Sequence, residues 1–498
     1  MTRATGSVLI ALAVLTVARS AVFVFAPAAH FDSDQAITGL MAKHLAELRA
    51  FPVFWYGQTY MLGVEAWLAA PVMAIAGATV TALKLPLLAM NVAIAWLLFR
   101  GFTRDMGLEP LRAAFATFFF VLAAPITSAH LLTANGGNVE PTLYVLLLWV
   151  LRRRPIWMGL VLGVGFLNRE FTIYGAAGLI AIDAIGRRLF TSESISRYGI
   201  AFGTAAGLWL TFLGLRQLSS AAGPGTSLAD LHSRLAGNNL LQVAERLCLD
   251  FGAMAAGAGR IATVHWPELF GLEPQPLTDF GIESGVRQGV AGSAWLLLPV
   301  VGIPLIRLLR RGSRDESRSA KADGSGNEFA MYLVVVAALS LAGYLVGRCG
   351  VVDFHTMRYE LLSVPGAAGL AGWYLRTERS RGIAAGWALC CSLIFAVSVA
   401  AHVRLIAEYA TDPPFAMKQD LIRALDSRGI RYAYSDYWTS YYVSFLTRER
   451  IVVASDDIPR IREYQDLVAS HGSEAIRISR RPCEGGEQLT PAFWSCRP

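Results

Sequence analysis

Residues 142–168 read TLYVLLLWVLRRRPIWMGLVLGVGFLN, two uncharged apolar runs joined by Arg152, Arg153 and Arg154. Each run is a short candidate membrane crossing, and arginines packed into a tight connecting loop mark the side on which Lys and Arg are retained, the cytoplasm. Working outward, the same signal recurs at Arg187-Arg188, at the group Arg307, Arg310, Arg311, Arg314, Arg318 and Lys321, and at Arg376, Arg379 and Arg381. With all four clusters inside, spans are expected near 7–25, 62–80, 113–128, 139–151, 155–168, 170–186, 198–217, 288–306, 329–347, 359–375 and 383–402. The apolar piece 84–99 is read as partial or kinked at Pro86, because a full crossing there would carry the following arginines outside. The first apolar segment, Val8 to Phe25, reads as a retained helix, since no small-residue cleavage site follows it.

Composition agrees. Of the 498 residues 54% are hydrophobic and 16% charged, too few charges to clothe a soluble enzyme. The net charge of +7 falls in short clusters between apolar runs, so orientation in the membrane explains it and nucleic acid is not an expected partner. The cysteines lack metal-type spacing: Cys390-Cys391 sit in an apolar run, Cys248 and Cys349 stand alone, and Cys483 and Cys496 lie in a polar tail where an oxidising compartment would let them pair. The expected fold is an all-α polytopic membrane bundle of about 11–12 spans over residues 1–402, with a small α/β domain over 403–498. In that domain a helical stretch Pro414 to Arg428 stops at Gly429, a strand Ile430 to Tyr434 follows, then a helix from Asp436 and the strand Arg450 to Ala454. The one linker-like stretch, Gly312 to Asn327, falls in the basic cytoplasmic loop.

Three polar regions face outward in this frame: 26–61, 218–287 and the tail. In the first, Ile37, Leu40, Met41, Leu45 and Leu48 recur at helical spacing, which predicts an amphipathic helix on the membrane surface, with Phe51, Phe54, Trp55, Tyr56 and Tyr60 as an interfacial belt. Asp32-Ser33-Asp34 opens that helix. A carboxylate there either caps the helix or takes the proton of an attacking hydroxyl, and the same spacing also suits a divalent cation, with no other cofactor expected. Arg358 lies on the side where arginine is not retained for orientation, so it wants an anion, a phosphate or a lipid headgroup. Arg169 and Glu170 at a tight turn form either a mutual ion pair or a phosphate contact. Glu65 and Glu140 stand at the mouths of apolar runs, where acids face polar cavities and can orient a sugar; Asn138, in Asn135-Gly136-Gly137-Asn138, offers an amide or an ordinary turn. His44 reads as a packed histidine, and His265-Trp266-Pro267-Glu268 as a membrane-surface segment.

The stretch His30 to Ala36, continuing through Gly39 to His44, Phe51 to Gln58, Tyr60-Met61 and Glu65-Ala66, resembles the first outer loop of the GT-C glycosyltransferases, in the bacterial branch related to protein O-mannosyltransferases and the lipid A aminoarabinose transferase. In that superfamily this loop carries the catalytic acid, usually as Asp-Glu; Asp34 matches the Asp, Gln35 stands at the Glu, and Asp32 is the substitute acid. His355-Thr356-Met357-Arg358-Tyr359 is similar to the family's Arg-Tyr entry to a late helix, where an arginine meets the lipid phosphate. The tail from Leu421 to Ala454 is similar to the outer domain of the same branch. The resemblance implies a bacterial inner-membrane enzyme that moves a sugar from a polyprenyl-phosphate carrier, by inverting displacement, to an envelope glycan, lipid or protein on the periplasmic face. Asp34 and Asp32 are then catalytic, and Arg358, Arg169, Tyr60, Glu65, Glu140, Asn138 and His355 bind substrate. The rivals are a transporter or flippase of lipid-linked precursors and a non-catalytic binding subunit. Against a flippase, the acids and arginines cluster at one face rather than at mid-span.

Overall fold

The computed structural model describes residues 3–26, 30–58, 61–215, 247–248, 250–279, 282–312, 326–348 and 354–497. In chain order its helices are α1 (Arg3–Phe25), α2 (Ser33–Ala46), α3 (Val64–Ala76), α4 (Val80–Arg100), α5 (Pro110–Val121), α6 (Pro125–His130), α7 (Glu140–Leu151), α8 (Pro155–Asn168), α9 (Thr172–Ile185) and α10 (Ser192–Leu215). There follow α11 (Phe251–Arg260), α12 (Trp266–Leu269), α13 (Ile303–Gly312), α14 (Glu328–Arg348), α15 (Ser363–Thr377), α16 (Arg381–Thr411), α17 (Met417–Ser427), α18 (Tyr437–Leu446) and α19 (Arg462–Ser470). Among the described residues six helical segments are long and apolar enough to cross a membrane. The molecule is thus a helical, multi-spanning bundle with a small mixed α/β domain at its C-terminal end. Much of the polar region 218–287, and 313–325 of the basic loop, lie outside the described residues; a two-stranded hairpin, β1 (Gln275–Asp279) and β2 (Ile282–Gln288), follows α12.

Side-chain pairs sort the helix ends into two sets. On the arginine-rich side Trp149 Nε1 donates to Asp105 at 2.9 Å, Arg152 lies 3.8 Å from the same carboxylate, and Arg188 pairs with Glu328 at 2.8 Å. Arg307 pairs with Glu378 there too. On the other side Thr81 Oγ1 donates to the Val24 carbonyl at 3.0 Å, and Lys84 Nζ to the His30 carbonyl at 2.8 Å, so α4 begins where α1 ends.

That last fact corrects the expected second span. α3 has 13 residues, about 20 Å of helix against a hydrocarbon layer of roughly 30 Å. It starts beside Val53, whose carbonyl takes the Gly63 N–H at 3.0 Å, and ends at Gly77, where a Cβ would lie 3.9 Å from the Arg448 guanidinium of the C-terminal domain. Both ends lie on the Asp34 side, so α3 does not cross. The crossing is α4, extended by a five-residue π-helical stretch, Gly101–Asp105, with Pro86 accommodated in its first turns. Exchanging one span for the other leaves the parity intact and carries Arg100, Arg104 and Arg112 to the arginine-rich side, which removes the objection that had demoted 84–99.

The other short crossings are protected by protein. α7 has 12 residues and buries Val145, Leu146, Leu148 and Trp149; Tyr332 of α14 donates to its Val145 carbonyl at 2.8 Å. Arg19, within α1, donates to Asn91 Oδ1 at 2.7 Å and Ser128 Oγ at 3.0 Å, tying α1, α4 and α6 through polar contacts that lipid could not satisfy.

α2 also differs from expectation. It is not a surface helix: Ile37, Leu40, Met41 and His44 are fully buried, because the C-terminal domain covers the face turned away from the bundle. A Cβ on Gly39 would meet Phe445 of α18 at 2.5 Å, so only glycine permits this approach. Phe31 packs on Tyr442 and Phe445 at 5.6 and 5.5 Å between ring centres, and each buried ring contributes on the order of 2 kcal/mol. Trp55 and Tyr56, expected as part of an interfacial belt, are buried beneath the same cover, Phe54 is buried against Leu62, Val64 and Leu167, and Phe51 stays exposed.

The C-terminal domain is a five-stranded sheet in the order β4-β3-β5-β7-β6, with β3 (Tyr432–Ser435) parallel to both β4 (Val452–Ser455) and β5 (Ile476–Ser479). β6 (Glu487–Thr490) and β7 (Phe493–Cys496) add an antiparallel edge, stapled by a Cys483–Cys496 disulfide. Leu421, Leu425, Val443, Ile451, Val453, Ile478 and Phe493 fill its core. Cys248, read as solitary, is disulfide-bonded.

Candidate functional site

The first turn of α2 is built by Asp32, whose side chain accepts the Gln35 N–H at 2.9 Å as an N-cap. Burial and the neighbouring Asp34 charge push the Asp32 carboxyl up to about 6, against the pull of the Gln35 N–H and of Lys418. Asp34, two positions on, is half-buried and takes a hydrogen bond at 2.5 Å from the Tyr437 hydroxyl; among the described residues no other side chain donates to it. Among the described residues no third His, Cys, Asp or Glu joins the two carboxylates.

Gln35 stands where the resemblance would place Glu, and its surroundings explain the amide. Its Nε2 donates to the His30 carbonyl at 3.0 Å and its Oε1 accepts the Ala134 N–H at 3.3 Å. A carboxylate could not make the first bond and would set two lone pairs against a carbonyl in a fully buried place.

The C-terminal domain supplies the other wall. Tyr437 opens α18 behind the N-cap Asp436, and its own N–H is held by Asp457 at 2.8 Å. Burial and the Asp34 charge raise its phenol well above the ordinary tyrosine range. Arg460 reaches back to the Gly57 carbonyl at 2.9 Å, with its guanidinium 5.2 Å from the Trp55 ring and 5.9 Å from that of Tyr437. Lys418 donates to the Trp438 carbonyl at 2.8 Å, and its burial lowers it to about 8. Farther along α2, Glu449 pairs with Lys43, with His44 Nε2 at 3.0 Å and with Arg49 at 2.9 Å, and accepts the Tyr464 hydroxyl at 2.8 Å. Burial alone would raise Glu449, but His44 and Lys43 outweigh it and hold the carboxyl well below the usual range. His44 also meets the Tyr56 hydroxyl at 3.0 Å and is spent on this contact.

A second polar group lies between α3, α7 and the α8–α9 turn. Glu65 accepts the N–H groups of Gly136 and Gly137 at 2.7 and 3.3 Å, and both glycines have positive φ, 87° and 99°. The Glu65 and Glu140 carboxyls lie together in this buried place. Arg169 lies against Gly137 and reaches Met61 Sδ at 3.5 Å. It makes no ion pair with Glu170 among the described residues; its field falls on Glu140 instead. Asn138 donates its amide to the His130 carbonyl at 3.0 Å, which uses it to shape the loop.

Arg358 donates to the Tyr359 hydroxyl at 3.2 Å, and its Nε is buried with no partner among the described residues. The Tyr359 ring meets Phe171 edge-on at 5.6 Å, and Phe171 lies 5.5 Å under the Arg169 guanidinium. The two arginines therefore flank one aromatic pair. His265, expected at the membrane surface, is buried and bonded to Glu360 beneath this group, because its ring packs on Tyr344, which stacks on Tyr359. From Arg169 the contacts run on through Met61, whose carbonyl takes the Trp55 N–H at 2.8 Å, to Trp55 Nε1 and Thr38 of α2 at 3.0 Å. Asp34 and the arginine pair thus share one side of the bundle. Tyr60 and the side chain of His355 lie outside the described residues.

Sequence reasoning passed over Lys84, Lys418, Tyr437 and Arg460. Lys84 was findable as a charge inside an apolar run, had that run been accepted as a span. The other three lie some four hundred positions from Asp34, and no local pattern joins them to it.

No protein-family model matches this chain, and no curated protein does. Solved structures do. The crystal structure of the Archaeoglobus fulgidus oligosaccharyltransferase in the apo form aligns at 11% identity over 96% of this chain and 69% of its own, with a TM-score of 0.51. Crystal structures of ArnT from Cupriavidus metallidurans, bound to undecaprenyl phosphate and apo, align at 10% and 12% identity over 93% and 96% of this chain and 92% and 93% of theirs, with TM-scores of 0.48 and 0.49. At such identities the likeness is one of fold alone: the chain shares its helical membrane architecture with that oligosaccharyltransferase.

Proposed function

We propose that this protein transfers a sugar from a polyprenyl-phosphate carrier to a hydroxyl-bearing acceptor on the extracytoplasmic face of a bacterial inner membrane, by a single inverting displacement. The observation that carries the reading is that Asp34 and the Arg169–Arg358 pair lie on one side of the bundle, linked through Met61 and Trp55. Neither arginine is within salt-bridge distance of a carboxylate among the described residues, although both are half-buried. An anion would complete them, and a guanidinium grips two phosphate oxygens while steadying the charge that grows as the phosphate leaves. Asp34, half-exposed, takes the proton of the acceptor hydroxyl as that oxygen attacks the anomeric carbon from the face opposite the phosphate. Phosphate leaves without a general acid. Asp32 keeps the helix cap and tunes the field at Asp34, and Glu65 and Glu140 orient the sugar hydroxyls; Tyr60 and His355 are carried as substrate contacts on the resemblance alone.

Likeness of fold to an oligosaccharyltransferase supports glycosyl transfer as the class of reaction. The test is mass analysis of envelope glycans and prenyl-phosphate sugars in cells carrying wild-type, Asp34→Asn or Arg358→Ala protein at matched expression. One sugar product should vanish and one charged carrier accumulate in both variants. Unchanged product and carrier with Asp34→Asn would sink the proposal and favour a transporter or binding subunit.

A further inference from the structure

We propose that Tyr437 is a positioning residue for Asp34: its hydroxyl holds Oδ1 so that Oδ2 faces the acceptor, which makes the C-terminal domain part of the catalytic centre. This rests on the transferase reading above. The bond is 2.5 Å long and spans 403 positions of sequence. Both partners stand on stiff supports. Asp34 sits in the first turn of α2, and Tyr437 opens α18, with Asp436 accepting the Thr439 N–H and Asp457 the Tyr437 N–H, each at 2.8 Å. The two helices pack closely where Gly39 faces Phe445, and Glu449 locks α2 to the same domain one helix length away. The phenol therefore does not swing; it is held at the carboxylate by packing on both sides.

Exposure separates the two partners. Tyr437 is 3% exposed, wedged edge-on against Trp438 and Tyr441 at 5.2 and 5.3 Å, whereas Asp34 keeps an open flank. The phenol thus comes from the protein side and leaves the open side to a ligand. A base whose lone pair must point at a particular hydroxyl gains from one fixed donor, because a freely turning carboxylate spends most of its time misaimed. A phenol with no further role would serve the fold equally well against a backbone carbonyl or water.

The test uses the full chain in detergent, treated with a water-soluble carbodiimide and glycine ethyl ester, with modification read at Asp34 and Glu449 by peptide mass spectrometry. Tyr437→Phe should leave Glu449 protected, speed modification of Asp34 several-fold and, in cells at matched expression, lower the sugar product read by envelope-glycan mass analysis about ten- to a hundredfold. Equal Asp34 modification with unchanged product would overturn the positioning role. Should Glu449 also become reactive, the domain has come loose and the reciprocal variant decides: Asp34→Ala must quicken acetylation of Tyr437 by N-acetylimidazole, and an unchanged rate overturns the pairing. The two proposals fail separately, since unchanged product in Asp34→Asn removes the transferase reading, whereas lost product there with wild-type behaviour in Tyr437→Phe removes only the role of Tyr437.

Discussion

The two ends of α2 meet the same domain with carboxylates in opposite circumstances. At the C-terminal end Glu449 is saturated by Lys43, His44, Arg49 and the Tyr464 hydroxyl. At the N-terminal end Asp32 and Asp34 lie beside each other, compensated by one phenol, one helix cap and the charges of Lys84 and the more distant Lys418. The difference separates two uses of buried charge. A carboxylate with all its lone pairs answered holds pieces together, whereas one left short remains available to a ligand.

Breaking the comparison at its reactive end should have the largest effect. Asp34→Asn keeps the shape and should cost two to four orders of magnitude in sugar transfer, about 3–5 kcal/mol of barrier, with normal expression and melting; the product assay described above measures it. Breaking it at the saturated end should cost stability instead. Glu449→Ala strands Lys43, Arg49 and the His44 ring, of which Lys43 and His44 are nearly buried, and should lower stability by about 3 kcal/mol or more, seen as a fall in Tm of the detergent-purified chain and faster proteolysis of the C-terminal domain. A smaller loss is expected between the two ends: Gly39→Ala drives a methyl into Phe445 and should cost about 1–3 kcal/mol in the same melting assay.

The smallest effect sharpens the contrast through pH. Glu449 is held below its ordinary 4.5, so its contribution is fully present above that value and is lost as pH falls through the lower folded-state range. Asp32 runs the other way. Its folded-state value is raised from 3.8 to about 6, so the native form holds the proton more tightly than the unfolded chain, and stability falls as pH rises through that window. Asp32→Asn keeps a competent cap and should flatten the slope of Tm between about pH 4 and 6, with a change below about 1 kcal/mol at pH 4. A slope that survives in Asp32→Asn would mean another group titrates there.

Much of the architecture was legible because membrane insertion acts on local composition. Apolar length and arginine clusters report crossings one segment at a time, and hydrogen-bonding demand in lipid forces helix. The error over α3 and α4 shows where that logic stops: both are apolar, and only the bond of Thr81 to Val24 and the nearness of Gly77 to the Arg448 guanidinium show which one returns across the membrane. α2 failed in a related way. Its apolar stripe was real, but a stripe does not say whether lipid or another domain will cover the opposite face.

For this protein, then, sequence alone determined the membrane class, the two chemically distinct sides, the appended α/β domain and the candidacy of Asp34 and Arg358, since each follows from residue type and near-neighbour spacing. Tertiary structure decided that Arg169 joins Arg358 across Phe171 and Tyr359, that Gln35 is a two-ended brace, and that Tyr437 reaches Asp34 from the far end of the chain. Those are contacts between segments distant in sequence. Their geometry is set by packing of whole elements, and no local periodicity encodes it.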